Sequence, residues 1–161
     1  MSLVFKSRKY KFGLSAPSYI DASKEFLASF DGRKCGEPFG VHISSDNVDA
    51  YTELVGFASK LDYNDNRFNG NVVDFFVSPS FIEDNFEKFL EFLILSIKVG
   101  FFEMQINVVS SKTLIEARKE PDKFPNLIVR VWGFSSYFND LPDEYKDYLI
   151  ERALKREGNS N

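Results

Sequence analysis

The sequence has little of what several common kinds of catalytic site require. Among its 161 residues there is one cysteine, Cys35, and one histidine, His42. A single cysteine excludes an intramolecular disulfide and fits a reducing compartment. A lone histidine leaves only one candidate base for a Cys–His or Ser–His–Asp catalyst, and no Gly-x-Ser-x-Gly pattern lies near it.

Motifs for nucleotides, calcium and membranes are also missing. No P-loop or glycine-rich dinucleotide fingerprint is present, and Asp31, Asp46 and Asp49 do not match a calcium loop. Glu91 and Lys98 interrupt the most apolar stretch, well short of the roughly 18 apolar residues of a membrane span. A net charge of −4 offers no basic surface to nucleic acid, and the start shows no signal peptide. We therefore expect a cytoplasmic protein with no bound metal or cofactor.

The most unusual abundance is aromatic. The chain has 18 Phe, 7 Tyr and 1 Trp, although its 43% of hydrophobic residues is ordinary. Its length suits a single domain spanning residues 1–161. This much Phe predicts either a very aromatic core or an apolar face that meets another chain.

Hydrophobic periodicity predicts an α/β arrangement with crossover helices. Ser80 and Glu83 have the spacing of a capping box, and Gly100 suits the end of the helix that follows. Residues 31–38 and 63–71 are rich in turn formers and predict loops, the first of them ordered. Helices are predicted at 23–30, 50–61, 80–99, 111–119 and 142–155, and strands at 72–77, 103–109 and 127–131.

Residues 129–138 read Val-Arg-Val-Trp-Gly-Phe-Ser-Ser-Tyr-Phe. This segment resembles the radical motif of the pyruvate formate-lyase-like glycyl radical enzymes, in which a strand reads Arg-Val-small-Gly-Tyr/Phe and continues to a Phe. Trp132 departs from the motif, because it replaces the small residue usual before the glycine. The matching positions are Arg130, Val131, Gly133, Phe134 and Phe138.

Other stretches resemble the same family in order and spacing, so that the resemblance extends over roughly residues 10–155. It implies a small mixed sheet with crossover helices, similar to the C-terminal part of the family's ten-stranded barrel, with the radical glycine on a loop. We expect Gly133 at the tip of a loop between strand 127–131 and the final helix. The flanking stretches are 31–33 with 36–38, 59–62, 105–109 with 113–117, and 141–152.

Glycine suits a backbone radical for a physical reason. A radical at Cα is stabilised when the centre is planar and conjugated with the amide on each side, and a Cβ would crowd that geometry. The radical must also be kept from water and oxygen, and we expect apolar cover from Trp132, Phe134, Tyr137 and Phe138. Taken alone, Gly133 would be an ordinary turn or bulge glycine.

The resemblance implies a partner, because family members pass the radical to a cysteine on a loop far upstream. Cys35 does not lie in that context, and we interpret it as a small buried hydrophobe. The sequence thus suggests a subunit that is not catalytic alone. It would dock on a larger chain bearing the catalytic cysteine, as half of a split enzyme or as a spare part for an oxygen-damaged domain. Activation would come from an S-adenosylmethionine radical enzyme with an iron–sulfur cluster, under anaerobic conditions.

Two alternatives remain open at this stage. In the first, the chain is an interaction remnant that binds a full-length enzyme or its activase and never carries a radical. In the second, it is the C-terminal fragment of a full-length glycyl radical lyase or decarboxylase. The substrate lies beyond the sequence in each case, since the substrate pocket of the family is mostly outside this region.

Overall fold

A computed structural model describes most of the chain in several ranges. The predicted loop 63–71, His42, Trp132 and the aspartates at 31, 46 and 49 lie outside these ranges. The described residues are 2–5, 8–11, 19–30, 32–38, 43–44, 50–61, 72–131 and 133–158.

The strands in these ranges form three small sheets. The first and last are antiparallel pairs, β1–β2 and β6–β7, and the middle sheet has the order β3-β4-β5 with parallel pairing throughout. The strands are β1 (Ser2–Phe5), β2 (Arg8–Lys11), β3 (Ile43–Ser44), β4 (Val72–Val77), β5 (Glu103–Val108), β6 (Ile128–Val131) and β7 (Phe134–Tyr137).

Six α-helices and two 3₁₀ turns connect and cover these strands within the described residues. None of these helices is long and apolar enough to span a membrane. The helices are α1 (Tyr19–Ser23), α2 (Tyr51–Ala58), α3 (Pro79–Asp84), α4 (Phe86–Val99), α5 (Ser111–Lys119) and α6 (Asp143–Gly158), and the 3₁₀ turns are Pro121–Lys123 and Phe138–Asp140.

Strand β4 is the centre of the fold, and all six of its residues are buried. Val73, Phe75 and Val77 face the cluster formed with α2 and α4. Phe76 points the other way, into the cluster that contains α5, α6 and the β6–β7 hairpin. A strand covered on both faces is apolar at nearly every position instead of at alternate ones, and Asp74 is the one charged residue of β4. The strand predicted at 72–77 is confirmed.

The helix predicted from Ser80 begins earlier and is interrupted. Ser78 is the N-cap, since its Oγ accepts a hydrogen bond from the Phe81 N–H at 3.2 Å, and Pro79 occupies the first helical position, where its missing N–H costs nothing. A break at Asn85 separates α3 from α4. Gly100, with φ of 75°, ends α4 as predicted.

The helix predicted at 23–30 is wrong. The helical residues are those of α1, which ends at Ser23, the first residue of this segment. The buried Ser23 Oγ donates to the Ile20 carbonyl at 2.8 Å where that helix ends. Farther along, the Phe26 carbonyl accepts from the Gly36 N–H at 3.1 Å, and the Leu27 carbonyl accepts from the guanidinium of Arg33. These carbonyls are bonded to the following loop, so they do not take part in a helical ladder.

An aromatic group joins α2 to β4. The Tyr51 Oη donates to the Phe76 carbonyl at 2.5 Å, and the Tyr51 ring meets Phe75 edge to face at 5.2 Å between centroids. Burial raises the pKa of the Tyr51 phenol, and the neighbouring Arg156 guanidinium opposes the rise. Tyr51 therefore adds a polar and an aromatic contact to the apolar packing of α2 against the central strand.

Helix α6 closes the core on the hairpin side. Leu149 is 1% exposed and packs in the same cluster as Val129, Val131 and Phe138. Leu154, on the same helix, is 48% exposed and lies outside that cluster. Substituting each leucine by alanine therefore distinguishes the effect of core packing from that of helix propensity within one helix.

We expect Leu149→Ala to lower the free energy of unfolding by about 2–5 kcal/mol, because it removes buried methyl groups and leaves a cavity. Leu154→Ala is the matched control and should change the stability by about 0.5 kcal/mol or less. Urea denaturation followed by circular dichroism measures both. Equal losses for the two variants would show that α6 does not close the core.

Candidate functional site

Gly133 lies in the turn of the β6–β7 hairpin. Val131 pairs with Phe134 across the turn, and Gly133 has φ of 95°, a conformation that side chains disfavour. A Cβ built on Gly133 would meet no atom within 4 Å, so the demand for glycine comes from the backbone alone. The turn lies where the sequence predicted, directly after the strand.

The second strand of this hairpin was not predicted. β7 has four residues, Phe134-Ser135-Ser136-Tyr137, and none of them is buried, so no alternating hydrophobic pattern marks it. It forms because it pairs with β6 in register, and the pairing continues where the Phe138 N–H donates to the Leu127 carbonyl at 2.7 Å. The chain therefore reaches the final helix only after a complete hairpin.

The hairpin is joined to β5 by a side chain instead of by a strand ladder. The Asn107 Nδ2 donates to the Arg130 carbonyl at 3.0 Å, and the Arg130 N–H donates to the Asn107 Oδ1 at 2.7 Å. Asn107 is buried, and its amide presents one donor and one acceptor as an extended backbone would. The backbone of the motif residue Arg130 is thus held by β5, although β5 and β6 belong to different sheets.

Gln105, two residues earlier on the same face of β5, holds the glycine itself. The Gly133 N–H donates to the Gln105 Oε1 at 2.9 Å, and the Gln105 Nε2 donates to the Asp74 Oδ1 at 3.0 Å. The Arg152 Nη1 then donates to the Asp74 Oδ2 at 2.5 Å. We call Gln105, Asp74 and Arg152 the buried polar chain, since they are 2%, 1% and 4% exposed.

Parallel pairing and α6 position the buried polar chain. Asp74 and Gln105 are register partners on neighbouring strands β4 and β5, so their side chains leave the sheet side by side. Arg152 comes from α6, with its guanidinium 4.9 Å from the centroid of the Phe76 ring. Buried polar groups need partners, and this arrangement gives the amide and the carboxylate theirs.

The side chain of Arg130 reaches along the exposed side of the hairpin. Its Nη1 donates to the Ser135 Oγ at 3.1 Å, and its Nη2 lies 3.5 Å from the Glu103 Oε1. The ion pair is partly exposed and contributes about 0–1 kcal/mol to stability. Arg130 therefore orients the hairpin mainly through its backbone.

The expected apolar cover over Gly133 is not formed by the described residues. Gly133 is exposed, and Phe134 and Tyr137 are 44% and 46% exposed. Phe138 is fully buried, but in the core beneath the hairpin. The prediction fails for Phe134 and Tyr137 because β7 has β6 as its only partner in the described chain, and the turn residue projects beyond both strands.

The interpretation of Cys35 as a buried hydrophobe is wrong. The thiol is free and exposed, because its loop is ordered by hydrogen bonds and not by a core. Arg33 donates to the carbonyls of Lys34 and Glu37 at 3.1 and 2.9 Å, and the Lys34 N–H donates to the Glu37 carboxylate. The prediction of an ordered loop at 31–38 is confirmed for the described residues.

An exposed apolar face, as predicted from the Phe content, lies on α4. Phe89 and Phe92 pack toward β4, and Ser96 is the only buried residue of the helix. A second stripe at helical spacing points away and is 41–80% exposed. We call this stripe the α4 face, and it consists of Phe86, Leu90, Ile94 and Ile97.

Two functional candidates were missed by sequence reasoning. Asp74 is a charged residue within an otherwise apolar strand, and Arg152 lies among the inward positions of α6. A buried charge needs a partner, so the sequence did carry a signal for each. The pairing itself joins residues 78 positions apart and was not readable. Across the described ranges, no group of His, Cys, Asp or Glu gathers to hold a metal ion.

Comparison with known proteins identifies the family of this chain. The family model described as "Glycine radical" matches residues 44–139, more than half of the chain. The chain therefore belongs to the glycyl radical family, and it corresponds to the glycyl radical domain of glycyl radical enzymes, which are lyases, dehydratases and decarboxylases.

Individual relatives show how much of those enzymes is matched. Isethionate sulfite-lyase from Desulfovibrio desulfuricans is 40% identical over 44% of this chain and 8% of its own length. Indoleacetate decarboxylase from Tractidigestivibacter scatoligenes is 30% identical over 78% of this chain and 15% of its own. A glycyl radical enzyme structure from Archaeoglobus fulgidus has a TM-score of 0.77 and 30% identity, covering 87% of this chain and 19% of that one. The chain thus spans less than a fifth of each.

We expect Asn107→Ala to loosen the hairpin, since it leaves the N–H and carbonyl of Arg130 without their partner. The stability should fall by about 1–3 kcal/mol, and amide exchange at Arg130 should accelerate by a similar free energy. Val108→Ala, at the 52% exposed end of the same strand, is the control and should leave that exchange rate unchanged. Hydrogen exchange read by NMR gives both results, and wild-type protection of Arg130 in Asn107→Ala would contradict the role of this amide.

Proposed function

We propose that Gly133 is the residue on which this chain stores a glycyl radical. The observation that carries the proposal is a glycine with φ of 95° in a tight hairpin turn, whose N–H is held by a buried glutamine. Arg130, Val131, Phe134 and Phe138 surround it in the order of the radical motif, and all lie within the matched residues 44–139. An ordinary turn glycine would not need a buried acceptor from another sheet.

The chemistry requires two hydrogen-atom transfers. An S-adenosylmethionine radical enzyme would remove one hydrogen atom from the Gly133 Cα and leave the unpaired electron there. A cysteine S–H would later give its hydrogen atom to that carbon, so that the C–H bond re-forms and the radical moves to sulfur. Access to the Cα suits both steps, because no heavy atom beyond the two chain neighbours lies within 4 Å of the place where a Cβ would stand.

A larger chain bearing the catalytic cysteine would supply what the described residues lack. The solved relatives hold the same fold within chains about five times as long, since this chain covers 19% of one and 18% of another. The exposed Gly133 turn and the α4 face are the surfaces that such a chain would cover. A spare part for an oxygen-damaged domain would dock in the same manner.

The same observations suit this domain as the C-terminal part of one long lyase or decarboxylase. A relative that covers 93% of this chain, from Clostridioides difficile, is a 4-hydroxyphenylacetate decarboxylase glycyl radical subunit at 28% identity, and this chain covers 17% of it. In either arrangement Gly133 does the same work against a cysteine outside the described fold. The remaining alternative is an interaction remnant that docks but carries no radical.

Anaerobic activation followed by air tests the radical. We expect a doublet glycyl signal by electron paramagnetic resonance. Oxygen should then cut the backbone, giving a large piece that ends next to Gly133 and a small one that begins near Phe134. Gly133→Ala should abolish both the signal and the cut, because a side chain crowds the planar radical and strains this φ. Mass spectrometry before and after air reads the cleavage.

Gly32→Ala is a closely matched control for that experiment. Gly32 has φ of 96° and, like Gly133, no atom within 4 Å of a built Cβ. The two variants should therefore carry similar backbone strain, while Gly32→Ala keeps the signal and the cut. If wild-type protein treated with a competent activase shows no glycyl signal and is not cleaved in air, Gly133 is only a turn glycine.

The docking surface can be tested with charge. The wild-type protein should capture from an anaerobic extract a chain that sequencing identifies as a glycyl radical enzyme with its cysteine loop. The double variant Leu90→Glu with Ile94→Glu should not capture that chain, because carboxylates on the α4 face cannot be buried in an interface. Leu154→Glu places a carboxylate at a 48% exposed leucine on α6 and should capture that chain normally. Equal capture by all three proteins would remove the α4 face from the interface.

A further inference from the structure

The orientation of the Gln105 side-chain amide is determined by its two partners. The Gly133 N–H can only donate a hydrogen bond, so the Gln105 oxygen must face it, at 2.9 Å. Asp74 has one carboxylate oxygen on the Gln105 Nε2 at 3.0 Å and the other on Arg152. The guanidinium of Arg152 can only donate, so the carboxylate accepts on both sides, and the Gln105 amide has one orientation that satisfies both of its partners.

This arrangement bears on a radical at Gly133 through its nitrogen. A planar Cα radical draws electron density from the nitrogen next to it, and an N–H that donates a hydrogen bond leaves more density on that nitrogen. The bond also fixes the orientation of the peptide unit on the N-terminal side of the Cα. A hydrogen bond to a buried amide polarised by an ion pair is stronger than one to water.

We propose that Gln105 is a positioning residue for the stored radical, with its oxygen aimed at the Gly133 amide by the Asp74–Arg152 pair. The inference rests on the proposed function and deepens it. Because the buried polar chain lies within this domain, the hydrogen bond to the Gly133 N–H is formed before any partner binds. It connects the radical residue to three elements, β5, β4 and α6, through side chains that are each 4% exposed or less.

The burial of the polar chain Gln105–Asp74–Arg152 also argues for a role beyond stability. A buried ion pair costs desolvation, and well-packed apolar residues in its place are often equally stable or more so. Asn107 shows that β5 can hold the hairpin without any ion pair, since its amide bonds only to the Arg130 backbone. The additional carboxylate contacts Gln105, the residue that bonds to the glycine, and not Asn107, and the guanidinium contacts that carboxylate.

Gln105→Leu tests the inference, with Asn107→Leu as its matched control. Both remove a buried amide from the same face of β5, but only Gln105 contacts Gly133. In unactivated protein labelled with ¹⁵N-glycine, the Gly133 amide proton should shift and its exchange should accelerate about tenfold in Gln105→Leu, the factor expected for one hydrogen bond. Gln105→Met, unbranched and closer in shape, serves if the leucine variant does not fold.

Electron paramagnetic resonance of the activated proteins then gives a signal that a purely structural role of Gln105 would leave unchanged. We expect the Gln105 variants to change the hyperfine splitting of the glycyl doublet and to shorten the anaerobic lifetime of the radical about tenfold. Asn107→Leu should keep the wild-type splitting even where it lowers stability. If the wild-type chain shows a glycyl signal and the Gln105 variants match it in splitting and lifetime, the inference fails while the proposed function stands. If the wild-type chain gives no signal, both fail.

Discussion

The ion pair between Asp74 and Arg152 is the interaction on which the rest of the site depends. Neither side chain is tolerated in a core without a charged partner, so α6 must lie where its guanidinium reaches β4. That placement packs Leu149 against the hairpin and closes the core. It also leaves the second carboxylate oxygen facing Gln105, and through it the Gly133 amide. One pair thus links the position of a helix to the geometry of a single turn.

The site combines a rigid base with an open top. The supporting groups, Gln105 and Asn107, are buried residues of a strand that pairs in parallel with β4, and buried side chains have little freedom. Gly133 itself is exposed. In the proposed function Gly133 is reached by one protein and covered by another. Both properties would then help, because the approach is open and the backbone conformation is set before a partner binds. The α4 face extends the uncovered surface with apolar area of the kind found at the centres of interfaces.

Local patterns carried much of the fold. Strand 72–77 was readable from its β-branched and aromatic residues, and the helix at 111–119 from its periodicity, because both signals come from neighbours along the chain. The helix at 23–30 failed since its carbonyls bond to a loop ten residues on, as in the Phe26–Gly36 pair. β7 was not predicted because its four residues, none of them buried, have no hydrophobic pattern, and pairing with β6 makes them a strand.

By itself, the sequence determined the kind of protein and the position of the turn glycine, since both follow from residues in one short segment and from the order of the segments around it. Only the tertiary structure decided what supports that glycine. Asp74, Gln105 and Arg152 are distant in the chain, and parallel pairing with a packed helix brings them together. The tertiary structure also showed Cys35 and Gly133 to be exposed. Burial is a property of what packs above a residue, and that is set by contacts between segments the sequence lists far apart.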